Sequence, residues 1–305
     1  MEKIDVQLNN TNCVGLGDNL CLLSALANAP PQVNLYVNND HNTFDSLTLY
    51  KKIFRIPNDL LTINYTEENG NFNNLGWPIK FFTDYYRPEY IYVNRQMIKV
   101  RDNKEKKCIA IAASFELNPA EPNQWPWCRA RPLEYWAKVF MYVKSLGYDV
   151  ITVDMLSYAS HDLENKIELL AKHCKAIISY EGGMAHSAHM LKLPCFLVDW
   201  KLPSPSTSLD KFHCEFVHKT DSVYILRDDE EFLTWGKEGF DKRIHDMQQG
   251  KGNNRLVNGD CKVQFSGPGI HGQMSVVNAS GHELLKAPGL FGGSVHSELL
   301  ERYYK

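Results

Sequence analysis

No apolar run in this sequence approaches the ~20 residues needed to cross a bilayer; Ile109 to Ala113 and Cys195 to Val198 are typical of its longest. A membrane span is not expected. An export signal is lacking too, since Glu2, Lys3 and Asp5 stand where a basic start and an apolar stretch would be required. A cytoplasmic protein is the expectation. The eight cysteines (Cys13, Cys21, Cys108, Cys128, Cys174, Cys195, Cys214 and Cys261) include no C-x-x-C pair, which argues against a zinc ribbon or disulfide framework and for reduced, buried thiols. Net charge is low: 33 basic against 36 acidic residues leave a formal −3, so no global field draws the chain toward nucleic acid or acidic lipid. No solenoid-type repeat is found. What remains is 305 residues, 44% hydrophobic and 23% charged, the balance of an ordinary globular protein long enough for two domains.

The order of apolar patterns predicts an α/β protein. Ile4, Val6 and Leu8 alternate as in a strand, a glycine-containing turn follows, and Leu20 to Ala29 reads as a helix stopped by Pro30 and Pro31. Val33 to Val37 is a second strand, and Phe44 to Phe54 carries a helical face. Leu60 to Tyr65 and Tyr90 to Val93 are further candidate strands. In the second half, strands are expected at Lys107 to Ala113, Asp149 to Val153, Ala176 to Ser179, Cys195 to Val198 and Val223 to Leu226. Helices are expected at Leu133 to Leu146, Leu163 to His173, Met184 to Leu191 and Asp228 to Met247. Such alternation implies parallel sheets covered on both faces, because each crossover returns along a helix. The divisions read from the pattern are residues 1–104, 105–249 and a glycine-rich tail at 250–305 that packs back on the first domain. In that tail, Lys262 to Phe265 and Gln273 to Val277 suggest a β element, and Ser297 to Tyr304 a terminal helix.

Two segments carry candidate chemistry. Gly15-Leu16-Gly17-Asp18-Asn19-Leu20 follows a strand and opens a helix, where glycines allow close approach and helix-start amides favour an anion or a polar sugar. A nicotinamide site is disfavoured, because no further glycine stands at the helix start. Asp18 has two readings, helix cap and functional carboxylate, which can coexist. The second segment runs from Ala176 through Ser179, Glu181, Gly182, Gly183, Met184 and His186: a strand ends in an acidic residue and a Gly-Gly pair ahead of a helix. Amides of Gly182, Gly183 and Met184 suit a pyrophosphate, favoured by the helix dipole. His186 and His189 lie three apart on one helical face, but no third metal ligand has useful spacing, so packed or hydrogen-bonding histidines are expected and no metal.

These two segments, together with Leu193-Pro194-Cys195-Phe196, resemble the hallmark regions of the heptosyltransferase family of glycosyltransferases, family 9. The resemblance covers most of residues 1 to 200 in order. It implies a GT-B fold, two Rossmann-like domains with a cleft between them, here with the glycine-rich C-terminal extension added. It further implies inverting transfer of a sugar from a nucleotide-sugar donor, with no cofactor and no metal for the chemistry. Asp18 matches the family's proposed general base. Gly17, Glu181, Gly182, Gly183, Met184 and His186 match donor-binding positions, Glu181 taking the place of an aspartate. Arg129-Ala130-Arg131-Pro132 resembles the segment whose basic residue contacts the donor phosphates, with Arg129 at that position and Arg131 beside it, and Ser114 matches a small hydroxyl residue near those phosphates. Asn12 and Cys13 stand where the family usually has a basic residue. One base for the attacking hydroxyl and a phosphate cradle for the leaving nucleotide are what inverting transfer requires.

The acceptor has two candidate classes. The stretch from Lys80 to Lys107 interleaves aromatic and basic residues, of which Tyr85, Tyr86, Arg87, Tyr92 and Arg95 are acceptor-binding candidates. Rings and cations suit a glycan such as a lipopolysaccharide core, which the family favours, and equally a hydroxymethylated base flipped from DNA, as in phage-type DNA glycosyltransferases. Core aromatics beside a solvated charged face are the plainer reading of the same stretch. A non-catalytic sugar-nucleotide-binding protein is the alternative from another class, and the presence of Asp18 argues against it.

Overall fold

The structure is a computed structural model that describes residues 4–8, 17, 20, 23–24, 33–38, 40–56, 58–68, 73–74, 93–102, 105–113, 131–153, 160–199, 214–215, 218–228, 230–266 and 273–287. The chain forms two compact units, one of Met1–Asn94 with Gly259–Lys305, the other of Arg95–Asn258.

In the first unit, strands β1 (Ile4–Leu8), β2 (Val33–Asn38), β3 (Leu61–Thr66) and β4 (Asn73–Asn74) form one sheet in the order β3-β2-β1-β4, with every pairing parallel. Alternation sets its core, for Val33, Leu35 and Val37 are all buried. Helix α1 (His41–Ile53) supplies the crossover from β2 to β3. Asp40 caps it by accepting from the Thr43 amide at 3.0 Å; Leu47, Tyr50 and Ile53 are buried; Lys51 and Lys52 lie in the last turn, where the helix dipole favours cations. Leu20 and Leu23, in the helical stretch after β1, are buried as well. The strand order reverses direction at β1, so the switch point of this sheet lies beside that strand, whose carboxyl end leads toward the first glycine loop. The unit also holds an antiparallel three-stranded sheet, β10 (Cys261–Ser266), β11 (Gln273–Asn278) and β12 (Glu283–Ala287). The last of these strands was not expected from the sequence, because its Glu-Leu-Leu-Lys-Ala pattern does not alternate.

The second unit is built on five parallel strands, β5 (Cys108–Ala112), β6 (Asp149–Thr152), β7 (Cys174–Tyr180), β8 (Cys195–Val198) and β9 (Val223–Leu226), in the order β6-β5-β7-β8-β9. Its helices are α2 (Leu133–Ser145), α3 (Ser160–His173), α4 (Gly183–Met190) and α5 (Lys237–Gln248). Odd and even strand positions feed opposite faces. Ile109, Ile111, Ile178, Phe196 and Val198 pack with Trp136 and Val139 of α2 and Phe240 and Ile244 of α5. Ala110, Ala112, Ile177, Leu197 and Ile225 pack with Leu170 of α3 and Met184, Ala185 and Ala188 of α4. Covering both faces explains why these strands read as continuous apolar runs. Two parallel α/β units in one chain are the parts of the fold that the family resemblance implies.

Three sequence expectations change or cannot be placed. The single helix expected from Asp228 to Met247 is instead a 3-10 turn at Glu231–Thr234, an extended Trp235-Gly236 step and then α5. Packing of Trp235 accounts for the break: its ring lies 5.4 Å from that of Tyr224 and 6.1 Å from that of Phe196, and the Arg243 guanidinium sits 3.5 Å over it. Val93 lies outside any strand, and Tyr90 to Tyr92 fall outside the described residues, as does the expected helix at Ser297 to Tyr304.

Candidate functional site at the end of the central strand

The order of the second sheet places its switch point between β5 and β7, the position beyond whose strand ends open parallel sheets receive ligands. β7 is central and buried, and the chain leaves it through Glu181 and Gly182 directly into α4. Gly182 is extended (φ 163°, ψ −172°), so the backbone does not demand glycine there, but packing is tight: a Cβ would lie 3.0 Å from Cε2 of Tyr180, whose ring would have to give by a few tenths of an ångström. The first amides of a helix have no intrahelical acceptor, and here no side chain caps them and no acidic residue stands in the first turn. An anion is the natural complement. Met184 itself is a core residue, so what it offers a ligand is its amide rather than its side chain.

Behind this helix start lies a buried polar cluster. Glu181 Oε1 is 3.7 Å from His218 Nε2 and 4.0 Å from His186 Nε2, with all three side chains at most 8% exposed. The rings of His186 and His218 stack at 4.2 Å, and His189 Nε2 lies 2.8 Å from His218 Nδ1. Burial, reinforced by His218 and His186, holds the imidazolium form of His189 well below the usual histidine range. His218 Nε2 and His189 Nδ1 are buried without a hydrogen-bond partner. Glu181, His186 and His218 together offer one ligand atom each, all within 4.8 Å of one another, and are the described residues able to hold a metal ion.

His218 is fixed from the other side. Asn254 Nδ2 donates to the carbonyls of Glu215 (3.1 Å) and His218 (2.9 Å), while its Oδ1 accepts from the amides of Leu256 and Val257. The fully buried Glu215 accepts from Arg255 (Nε at 3.0 Å, Nη2 at 2.5 Å) and from Arg227 Nη2 at 3.0 Å. The segment leading to Asn254 passes so close to β9 that a Cβ on Gly252 would lie 2.0 Å from the Val223 carbonyl oxygen. Only glycine fits at that crossing.

Of the residues singled out in the sequence, Glu181, Gly182, Gly183, Met184 and His186 are brought together at this strand end. Glu181 and His186 turn toward His218, behind the helix-start amides. Arg131 is buried, and its Nη2 donates to the carbonyl of Asp199, just beyond β8, at 2.7 Å. Gly17 is helical and half-buried, and Arg95 is exposed. Asp18, Ser114, Arg129, Tyr85, Tyr86, Arg87 and Tyr92 lie outside the described residues. His218 and Glu215 were missed. Neither sits in a glycine-punctuated motif, and their meeting with Glu181 and Asn254 spans more than thirty positions of sequence, as the 36-residue Asn254–His218 separation illustrates.

No protein-family model matches the sequence, and no characterised protein matches it by sequence. Among solved structures, the dodecameric iron-containing glycosyltransferase TibC from enterotoxigenic E. coli aligns at 13% identity over 65% of this chain and 58% of TibC, with a TM-score of 0.41. The chain thus spans little more than half the length of TibC. The E. coli heptosyltransferase WaaC with ADP-2-deoxy-2-fluoro heptose aligns at 12% identity over 79% of this chain and 99% of WaaC, with a TM-score of 0.39; WaaC with ADP gives 11% and 0.38. No helix among the described residues is long and apolar enough to cross a membrane.

Proposed function

We propose that this chain is a nucleotide-sugar-dependent glycosyltransferase, inverting, acting on a hydroxyl of a cell-surface glycan. The observation that carries the reading is the uncapped start of α4 at the carboxyl end of β7, beside the sheet's switch point, where Gly182 and Gly183 put no side chain over its amides. Those amides would hold the donor diphosphate and neutralise charge on the leaving nucleotide. Arg129 and Arg131 would add cationic donors, and Asp18 would take the proton of the attacking hydroxyl. A carbohydrate acceptor fits the low net charge and the solvated character of Arg95, Lys99, Arg101 and Lys107, which are exposed and share their segment with Asp102 and Glu105.

The test is calorimetric binding of nucleoside diphosphates and their sugars, followed by transfer assays on wild type and Asp18→Asn. One nucleoside diphosphate should bind, Arg129→Ala should weaken it roughly 10- to 100-fold, and Asp18→Asn should keep donor affinity while losing on the order of 100-fold or more in kcat. Absence of binding by every nucleotide tested would overturn the reading. A mass increase on hydroxymethylated DNA, with none on glycan acceptors, would overturn the acceptor class alone.

A further inference from the structure

Beyond sugar transfer, we propose that Glu181, His186 and His218 hold a divalent first-row metal ion, zinc foremost, at the junction of β7, α4 and the segment carrying His218. Two imidazoles and one carboxylate are a ligand set that suits such an ion. The separations point the same way. At 3.7 and 4.0 Å, Glu181 Oε1 is too far from His218 Nε2 and His186 Nε2 for direct hydrogen bonds, which close to ~2.7–3.0 Å. Two ligands sharing one ion at ~2.0–2.1 Å sit roughly 3.3–4.2 Å apart, so both ion-pair contacts already have a spacing that one shared ion can bridge. The remaining pair is within 4.8 Å, but the two rings stack nearly parallel (4.2 Å, 17°), so binding requires the His186 ring to swing out of the stack until both lone pairs converge on the ion.

Burial and tautomer complete the case. His218 is fully buried, and its Nε2, 3.7 Å from Glu181 Oε1, has no hydrogen-bond partner; a metal bond would satisfy it. Its other nitrogen, Nδ1, lies 2.8 Å from His189 Nε2. A bond from Nδ1–H of His218 to His189 Nε2 would leave the His218 Nε2 lone pair for the ion, the tautomer a metal ligand needs. His189 is therefore a positioning residue and not a ligand. The Asn254 side chain, bonded to the His218 carbonyl, holds that residue's backbone from the opposite side. The ion would tie the loop between β7 and α4 to a segment more than thirty residues away and so fix the helix start.

The test uses the full chain without a histidine tag. Elemental analysis of the purified protein should find about one equivalent of a divalent metal, and stripping it with a chelator should lower Tm by roughly 5 °C or more, restored by stoichiometric Zn2+. Co2+ added to the stripped protein should give the visible absorption of a low-coordinate site. His218→Gln and Glu181→Gln should lose at least 100-fold in metal affinity, His189→Gln about 10- to 100-fold, and His245→Gln, on an exposed face of α5, nothing. Stripped wild-type protein that takes up none of Zn2+, Co2+ or Fe2+, with Tm unmoved by each, overturns the proposal. So does undiminished affinity in both His218→Gln and Glu181→Gln. Should those variants fail to fold, the wild-type titration alone decides, and every readout is independent of sugar transfer.

Discussion

Glu215 and Glu181 are both buried carboxylates of the second unit, yet their surroundings differ. Glu215 is clamped: two arginines deliver charge-assisted hydrogen bonds to one oxygen, and Asn254 ties off the neighbouring carbonyls. Glu181 faces two imidazole nitrogens at distances where neither hydrogen bond forms. On Oε1 Glu215 is neutralised in place and has nothing left to offer a ligand, while its Oε2 is buried with no hydrogen-bond partner. Glu181 sits at ion-pair range of two imidazoles, the spacing that the proposed ion would bridge. The contrast assigns the Glu215 cluster to stability and the Glu181 cluster to binding, and it can be broken at either end.

The largest effect is expected from Glu215→Ala. Removing the carboxylate leaves Arg227 and Arg255 facing one another, the kind of loss that costs about 3–5 kcal/mol in a fully buried pair. Both arginines are about a third exposed, so water relieves part of that, and about 2–4 kcal/mol is expected from urea denaturation midpoints. Metal affinity should fall only through the displacement of His218. A loss below about 1 kcal/mol would show that the clamp is not structural.

Asn254→Ala should cost about 2 kcal/mol, since it orphans the Glu215 carbonyl and two amides in a buried setting, some of which rehydrate, while the His218 carbonyl keeps the Thr220 amide at 2.8 Å. It sharpens the comparison because Asn254 touches both clusters' backbone. Stability and metal affinity should fall together in this variant, whereas His189→Gln should lower metal affinity with a smaller change in stability. Equal effects of the two variants on both measurements would erase the distinction.

How far this arrangement could be read from sequence follows from which signals are local. The parallel strands declare themselves by apolar runs and alternation, and β7 with its Glu181-Gly182-Gly183 exit is a contiguous motif, so half of the binding cluster was visible. His186 and His189 were recognised as one helical face lacking a third ligand. In the structure His186 meets Glu181 and the distant His218, with His189 backing His218, whose segment Asn254 anchors through the His218 carbonyl. Long-range anchoring by single polar side chains leaves no periodic trace. Trp235 is the converse case: the helical periodicity from Asp228 onward is real, but aromatic packing at one residue overrides it and delays the helix to Lys237. The base expected at Asp18 is read from a motif whose residues the structure does not describe.

Cys174 and Cys195 supply the baseline of burial without an ionic clamp. Burial pushes the Cys174 thiol up to about 12, with Cys108 adding to the shift and Lys106 opposing it, and burial alone pushes Cys195 further up. Each folded-state value exceeds the unfolded one near 9, so the stabilisation is fully present below pH 9 and is lost as pH rises toward the folded value. Between pH 9 and 10 the chain should lose up to about 1.4 kcal/mol per buried thiol. Cys195→Ala should flatten that slope by about one thiol's share when urea midpoints are compared across this range. An unchanged slope would mean that the thiolate is accommodated, and that burial alone does not make this core intolerant of charge.

Gly182→Ala should have the smallest effect on stability and is the most direct probe of the binding end. The backbone there is extended, which alanine adopts freely, so no conformational strain enters. The added methyl meets the Tyr180 ring edge at 3.0 Å, a side chain able to yield by a few tenths of an ångström, and the cost should stay below about 1 kcal/mol. If the amides after Gly182 form the diphosphate cradle, the same methyl stands at the mouth of that cradle and should weaken nucleoside-diphosphate binding about 10-fold, well out of proportion to the change in Tm. Unaltered nucleotide affinity, with the variant folded and its metal retained, would detach the helix start from the donor while leaving the buried cluster behind it untouched.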